Sequence, residues 1–230
     1  MMYPYFSSII SFVMKNTIIC LTVASFCALI SCSNNTSSND EAQLQGKEAC
    51  LEDILEFTSE ANLIKEYGKE SVTYDTIWGY EGYFTMGTYL TVDTLAHIEI
   101  VWTDSASRKG LISATLVSDA DYYATTIAPG KWKSCTGVYV GMSADDLQKL
   151  NGRPFKFSGF GWDFGGGVMG WEGGSLDGKG ISVQLSEGGI ADLPENEINQ
   201  VLGDVTVMSD NPVLKKLNPR VWSISVAKVQ

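Results

Sequence analysis

Few side chains in this sequence are suited to catalysis, and their spacing matches no catalytic motif. His97 is the only histidine and alternates with apolar neighbours, as in a strand. A histidine base needs a nucleophile beside it, and neither Cys135 nor any serine lies in a nucleophile-elbow sequence. One histidine and two thiols are also too few for a structural zinc site, which needs four nitrogen or sulfur ligands. We interpret His97 as a structural or surface residue and predict no catalytic residue, no metal and no other cofactor.

The carboxylates that could act as a pair lie in predicted turns. Asp163, Glu172 and Asp177 surround glycine-rich turns, and Asp104 ends a predicted strand. Glycoside hydrolysis uses two carboxylates that flank the scissile bond, but turn carboxylates are usually solvated or bonded to backbone amides. We expect the latter role here, so the sequence predicts a protein that is not an enzyme. The glycines of residues 159–174 are not followed by the Gly-Lys-Ser/Thr of a phosphate-binding loop.

Aromatic side chains alternate through the glycine-rich stretch. The candidate binding residues there are Trp162, Asp163, Phe164 and Trp171. Aromatics on short turns can form a recognition surface or a platform on which a sugar ring stacks. They can also form a small aromatic core. Flat, exposed tryptophans would favour recognition, and buried ones would favour packing.

The N-terminal residues predict export and anchoring. Lys15 precedes an apolar run at residues 17–30, which is typical of an export signal and is short for a membrane-spanning helix. The run closes in Leu29-Ile30-Ser31-Cys32, which resembles the signal of bacterial lipoproteins. That resemblance implies removal of residues 1–31 and attachment of lipid to Cys32. An ordinary signal peptide or an N-terminal anchor is the alternative.

The resemblance also implies a location. Cys32 would hold the protein at the membrane of the bacterial cell envelope, and we expect the outer membrane. The Ser/Asn/Thr-rich residues after Cys32 are too polar to fold by themselves. We predict a flexible tether at residues 32–46 and a folded domain at residues 47–230.

The acidic charge of the chain disfavours one class of partner. The net charge of −11 becomes −12 once Lys15 leaves with the signal. Such a chain is a poor partner for nucleic acid, which needs basic patches, and acidity by itself favours solubility.

Cys50 and Cys135 are the cysteines that follow Cys32. They either form one disulfide, as is usual in exported chains, or remain two separate buried thiols.

The spacing of apolar residues predicts helices and strands in alternation. Residues 48–67 have helical spacing and end at Gly68, either as one helix or as two that are broken near Thr58-Ser59. From Val72 the period becomes two, which predicts a four-stranded antiparallel meander. After the meander we predict a short strand at 137–141, a helix at 144–150 capped by Ser143, and a second meander over 155–185. The C-terminal part is predicted to contain a helix at 195–202 and a second helix opened by Ser209 or Asp210, with Pro212 in its first turn. A strand at 221–226 is expected to close the sheet.

A local motif surrounds the helix at 144–150. It consists of Gly141, Met142, Ser143, Leu147, Gly152 and Pro154. This pattern resembles the helix motif of the SmpA/OmlA lipoproteins and of the β-lactamase inhibitor protein-like fold. The resemblance implies a non-catalytic outer-membrane lipoprotein that binds other proteins during envelope assembly. Residues 150–155 and 159–166 also resemble uncharacterised exported bacterial proteins.

These observations predict an α+β fold with an antiparallel sheet and short helices packed on one face. One interpretation divides the domain into two similar halves, residues 47–135 and 136–230, since each places a short helix that ends in glycine before its strands. The predicted function is that of an envelope-anchored lipoprotein that binds or scaffolds an envelope protein. The alternative is a carbohydrate-binding surface lipoprotein that uses the same aromatic residues.

Overall fold

The computed structural model describes residues 50–228, apart from the side chain of Ala191. The predicted signal segment, the tether and Cys32 lie outside the described residues, as do the first two residues of the predicted helix at 48–67. The described residues belong to one compact unit. Within them, no helix is both long enough and apolar enough to cross a membrane.

Nine strands and four α-helices form the regular structure of the described chain, and the predicted α+β class is confirmed. The strands are β1 (Val72–Trp78), β2 (Phe84–Thr91), β3 (Ala96–Asp104), β4 (Lys109–Ser118), β5 (Lys156–Ser158), β6 (Val168–Gly170), β7 (Ile181–Leu185), β8 (Thr206–Met208) and β9 (Val221–Ala227). The α-helices are α1 (Glu60–Tyr67), α2 (Ala144–Asn151), α3 (Glu195–Ile198) and α4 (Leu214–Leu217). Short 3₁₀ helices span Leu51–Glu56, Lys69–Ser71, Tyr80–Gly82 and Ile190–Asp192.

The larger sheet has six strands in the order β1-β2-β3-β4-β9-β7, and all its neighbours are antiparallel. The predicted first meander, β1 to β4, is confirmed. The prediction that the last strand closes the sheet is wrong, because β9 pairs with β4 on one side and with β7 on the other. The C-terminal strand is therefore an interior strand of this sheet.

The smaller sheet has three strands in the order β6-β5-β8. The predicted second meander is wrong, since β7 leaves β5 and β6 and joins the larger sheet. Strand β8 was not predicted, and it pairs with β5 at Phe157 and Val207. The second half thus divides its strands between two sheets and does not reproduce the meander of the first half. Alternation along a strand indicates which residues are extended but not which strand they pair with.

One face of the larger sheet carries the core. A row of buried apolar residues crosses the strands through the paired positions Leu90, Ile98, Leu116, Ile224 and Val183. The helical segments add buried leucines and isoleucines to the same cluster: Leu51, Ile54, Leu63, Leu147, Leu214 and Leu217. The smaller sheet adds the fully buried rings of Phe155, Phe157 and Phe160. The opposite face of the larger sheet is consequently not covered by these elements.

The N-terminal helical region is broken, as one of the two alternatives predicted. A 3₁₀ helix ends at Glu56, and the side chain of Ser59 then caps α1 by accepting a hydrogen bond from the Asn62 amide at 3.4 Å. Of the two states left open for the thiols, the structure has the disulfide between Cys50 and Cys135, with 5.2 Å between their Cα atoms. This bond links the start of the domain to a segment 85 residues further along the chain.

Helix α2 follows the pattern seen in the sequence. The Ser143 side chain accepts a hydrogen bond from the Asp146 amide at 3.0 Å, Leu147 is buried, and Gly152 ends the helix with a φ of 75°. Glycine suits this end because an L side chain is disfavoured at positive φ. The predicted strand at 137–141 is instead a turn region with an isolated bridge between Lys133 and Tyr139.

The C-terminal helices are shorter than predicted. Helix α3 stops at Ile198, and α4 begins at Leu214 without a side-chain cap. Ser209 does not cap α4, because its hydroxyl accepts from the Phe155 amide at 2.9 Å and donates to Gln148 at 2.5 Å. Ser209 therefore joins the residue that precedes β5 to α2, a long-range role that local sequence does not indicate.

Candidate functional site

The open face of the larger sheet carries polar side chains in register. Glu99 pairs with Thr115, Thr115 with Ser225, and Ser225 with Ser182, which makes a polar row across four strands. A neighbouring row contains Ser223 and Gln184. Because side chains alternate between the faces of a strand, these rows are the counterpart of the buried apolar row. They form a hydrogen-bonding floor.

A cleft of about 820 Å³ lies over this floor. Its walls come from three separate parts of the chain: the β1–β2 connection, the segment after β4 and the glycine-rich loop between β5 and β6. The aromatic side chains that line it are Trp78, Tyr80, Tyr122, Tyr123, Trp162 and Trp222. Polar groups on the floor and aromatic rings on the walls are typical of a small-molecule site.

One wall joins the β1–β2 connection to the glycine-rich loop. The Asp163 carboxylate accepts a hydrogen bond from the Glu81 amide at 3.0 Å. The rings of Tyr80 and Phe164 lie 4.6 Å apart, and those of Trp162 and Phe164 lie 5.3 Å apart. Residues separated by about eighty positions therefore form one continuous surface at the mouth of the cleft.

The glycine-rich loop is fixed against the larger sheet. Gly166 has a φ of 75°, and a Cβ there would meet the backbone oxygen of Leu185. The Gly165 carbonyl accepts hydrogen bonds from the Tyr122 hydroxyl and the Gln184 amide, both at 3.0 Å. The indole of Trp162 donates to the Gly159 carbonyl at 2.7 Å. These bonds hold Trp162 at the cleft.

The four candidate binding residues separate into two groups. Trp162 and Asp163 line the cleft, and Phe164 packs on Tyr80 at its mouth with 42% of its surface exposed. Trp171 does not belong to this surface, and its assignment as a binding residue is corrected. It is only 8% exposed and packs against Phe155 with ring centres 5.5 Å apart. The glycine-rich stretch thus belongs in part to the lining of the cleft and in part to an aromatic core.

The other carboxylates considered from the sequence are engaged in turns. Asp104 accepts hydrogen bonds from the amide and hydroxyl of Ser107, which lower its pKa. Asp177 accepts from the Gly173 amide at 2.9 Å, and Glu172 pairs with Lys156 at 3.1 Å. None of these three lines the cleft, so they do not form a carboxylate pair there.

His97 lies on the open face beside acidic partners. Its Nδ1 is 2.5 Å from Asp119, and its Nε2 is 3.6 Å from Glu99. Burial by itself lowers the pKa of His97, but the interactions with the Glu99 and Asp119 carboxylates outweigh it and leave the pKa above its ordinary value. Tyr89 packs beside the imidazole, with ring centres 5.3 Å apart. These contacts hold the imidazole of His97 in place beside the two carboxylates.

Glu187 is the buried carboxyl of the cleft. It is only 8% exposed, and its amide donates to the Tyr122 carbonyl at 3.2 Å. Burial raises the pKa of Glu187, while a hydrogen bond from the Gly161 backbone acts in the opposite direction. Burial also raises the pKa of Tyr122, and the charge of Glu187 adds to that effect. The two groups share a region of low solvent access.

Sequence reasoning missed most of the cleft. Glu99, Glu187 and the floor hydroxyls were not among the candidates, nor were Tyr80 and Tyr123. A signal for the floor was present, because Ser223 and Ser225 alternate with apolar residues in the strand at 221–226. The same alternation places Ser182 and Gln184 on one face of β7. No comparable local signal marks Glu187.

Comparisons with models of protein families, with curated proteins and with solved structures found no match. The resemblance of residues 141–154 to the SmpA/OmlA motif stays a prediction. The interpretation of the cleft therefore depends on its own geometry and chemistry.

Proposed function

We propose that this domain binds a carbohydrate in the cleft on the open face of its larger sheet. One observation carries the proposal: a floor of short hydrogen-bonding side chains lies below aromatic walls in a cleft of about 820 Å³. That volume lies within the ordinary range of small-molecule sites, roughly 300–1,000 Å³. The protein would act by binding, at the envelope location that Cys32 predicts.

The chemistry of a sugar matches both surfaces. Its hydroxyl groups donate and accept hydrogen bonds, and Ser182, Ser223, Ser225 and Thr115 can do the same. The apolar C–H face of the ring packs on aromatic side chains such as Trp162, which bury large areas at small entropic cost. A ligand with alternating polar and apolar surfaces is therefore favoured over a purely apolar one.

Titration calorimetry with a panel of neutral oligosaccharides tests this function. We expect Trp162→Ala and Tyr123→Ala to weaken binding about tenfold or more, because each removes a ring from a cleft wall. Tyr83→Ala is the matched control, since Tyr83 is exposed but does not line the cleft. Equal binding by all three variants and the unaltered protein would contradict the proposal.

A second candidate function, protein binding, is favoured by an exposed aromatic rim at the edge of the cleft. Trp78 and Phe84 face each other across β1 and β2 with ring centres 5.5 Å apart, and they are 69% and 65% exposed. Exposed aromatic patches often mark protein–protein contacts. Glu81 and Asp163 border this rim, so we propose an envelope protein with a basic contact surface as the partner.

Crosslinking in cells distinguishes the two functions. Tyr83→Ala/Phe84→Ala alters the rim but no residue that lines the cleft. We expect this variant to lose a crosslinked envelope protein and to keep carbohydrate binding. Met169→Ala is the control, because Met169 is an exposed apolar residue on β6. Recovery of the same partner with all variants would contradict protein binding through the rim.

A further inference from the structure

The charged side chains that line the cleft are all acidic. They are Glu99, Asp163 and Glu187, and no lysine or arginine of the described chain is among the lining residues. An anionic sugar would bring its negative charge close to these carboxylates without a cation to pair with. Like charges at short range in a partly desolvated site are costly. The cleft therefore disfavours uronic acids and phosphorylated sugars.

Glu187 has an unused hydrogen-bonding atom. The Oε2 atom of its carboxyl is buried and has no hydrogen-bond partner among the described residues. Buried polar atoms are nearly always partnered, and an exception calls for an explanation. Glu187 lines the cleft, so a small movement of its side chain would let a ligand in the cleft supply the missing donor.

We propose that the carbohydrate bound in the cleft carries a free amino group and that Glu187 receives its ammonium ion. This inference rests on the proposed function and adds the class of sugar. An ammonium group has three donors and no acceptor, which suits a carboxylate oxygen that lacks a donor. The hydrogen bond is charge-assisted, and such bonds are roughly twice as strong as neutral ones.

The surroundings of Glu187 favour a cation in two further ways. Tyr122 and Trp222 both line the cleft, and their rings pack edge to face with centres 5.5 Å apart. Aromatic faces attract cations, more strongly where water is excluded. Burial disfavours the charged form of Glu187. A bound ammonium would favour the charged form, because it pairs with the carboxylate.

The test compares two sugars that differ only at nitrogen. Glucosamine trimer and N-acetylglucosamine trimer are titrated against the full folded protein in a buffer in which the amine is protonated. We expect the free amine to bind about tenfold or more tightly, the effect of one hydrogen bond to a charged group. Equal binding, or tighter binding of the acetylated trimer, would overturn this inference and leave the proposed function standing. Binding of neither trimer would overturn both.

Glu187→Gln assigns the preference to this carboxyl. The substitution keeps the shape of the side chain and removes its charge, so we expect the two trimers to bind about equally. Glu195→Gln makes the same change in net charge at an exposed residue away from the cleft and should keep the full preference. A preference that survives Glu187→Gln would overturn the role of Glu187. The comparison on the unaltered protein does not depend on how this variant folds.

Discussion

Thr88 and Trp102 show how single residues on neighbouring strands fix the packing of the core. Both are buried, and the Trp102 indole donates a hydrogen bond to the Thr88 hydroxyl at 2.9 Å. Tryptophan has only this one polar atom, and it needs a partner when the ring is buried. Thr88 is accordingly a polar residue that the core requires.

We expect Thr88→Val to destabilise the domain by about 1–3 kcal/mol, because the indole N–H then stays buried without an acceptor. Thr91→Val is the control, since Thr91 is on the same strand but exposed. Urea unfolding measures both. A Thr88→Val midpoint that matches the control would show that the hydrogen bond contributes little.

His97 links stability to pH. Its pKa is raised in the folded state, because the attraction of the Glu99 and Asp119 carboxylates outweighs the opposing effect of burial. A raised histidine pKa contributes stability that is fully present below the unfolded pKa of about 6.5 and is lost as pH rises through the folded pKa. The interaction of His97 with Glu99 and Asp119 therefore stabilises the fold on the acidic side of neutrality.

We expect the unaltered protein to lose more stability than His97→Gln between mildly acidic and mildly alkaline pH. Unfolding in urea at a series of pH values gives the difference between the two proteins, in which shared carboxylate effects cancel. If the free energy of unfolding changed with pH equally in both proteins, the raised pKa of His97 would be contradicted.

Among the elements, the glycine-rich loop is hydrogen-bonded to strands of both sheets. The Gly166 amide donates to the Ser158 carbonyl on β5, and the Gly166 carbonyl accepts from the Leu185 amide on β7, both at 2.9 Å. A short distance along the chain the same loop carries Trp162 and Asp163 to the cleft. The close approach of backbones at Gly166 leaves no space for a side chain.

We expect Gly166→Ala to destabilise the domain by about 3 kcal/mol or more. The new Cβ would collide with the Leu185 backbone oxygen, and alanine would also be strained at this positive φ. Gly178→Ala is matched in φ, at 68°, but has open space around its Cβ. It should cost only about 1 kcal/mol. Chemical unfolding that ranks the two variants equally would contradict the importance of close packing at Gly166.

At the scale of the whole molecule, the sequence predicts a tethered domain. Acylation of Cys32 would hold the protein at a membrane despite the net charge of −12 that remains without Lys15, which disfavours electrostatic attraction to anionic lipid. Stable anchoring needs more than one acyl chain, and the lipoprotein resemblance implies that Cys32 carries them. The open cleft would then face the compartment in which the tether places it.

We expect Cys32→Ala to move the protein from the membrane fraction to the soluble fraction of the envelope, because the lipid attachment point is lost. Cys27→Ala, which alters a cysteine within the predicted signal, should leave the protein in the membrane fraction. Fractionation followed by immunoblotting measures both. Equal membrane recovery of the two variants would contradict lipidation at Cys32.

The sequence by itself determined the features that depend on neighbours along the chain. Alternation identified β1 to β4 and β9, and Ser143 and Gly152 marked the ends of α2, because strand period and helix capping are local effects. The sequence could not decide that β9 pairs with both β4 and β7, whether Trp171 is buried, or that Tyr80, Asp163 and Glu187 meet in one cleft. Those outcomes depend on packing between residues that are distant in the chain, and only the tertiary structure brings them together.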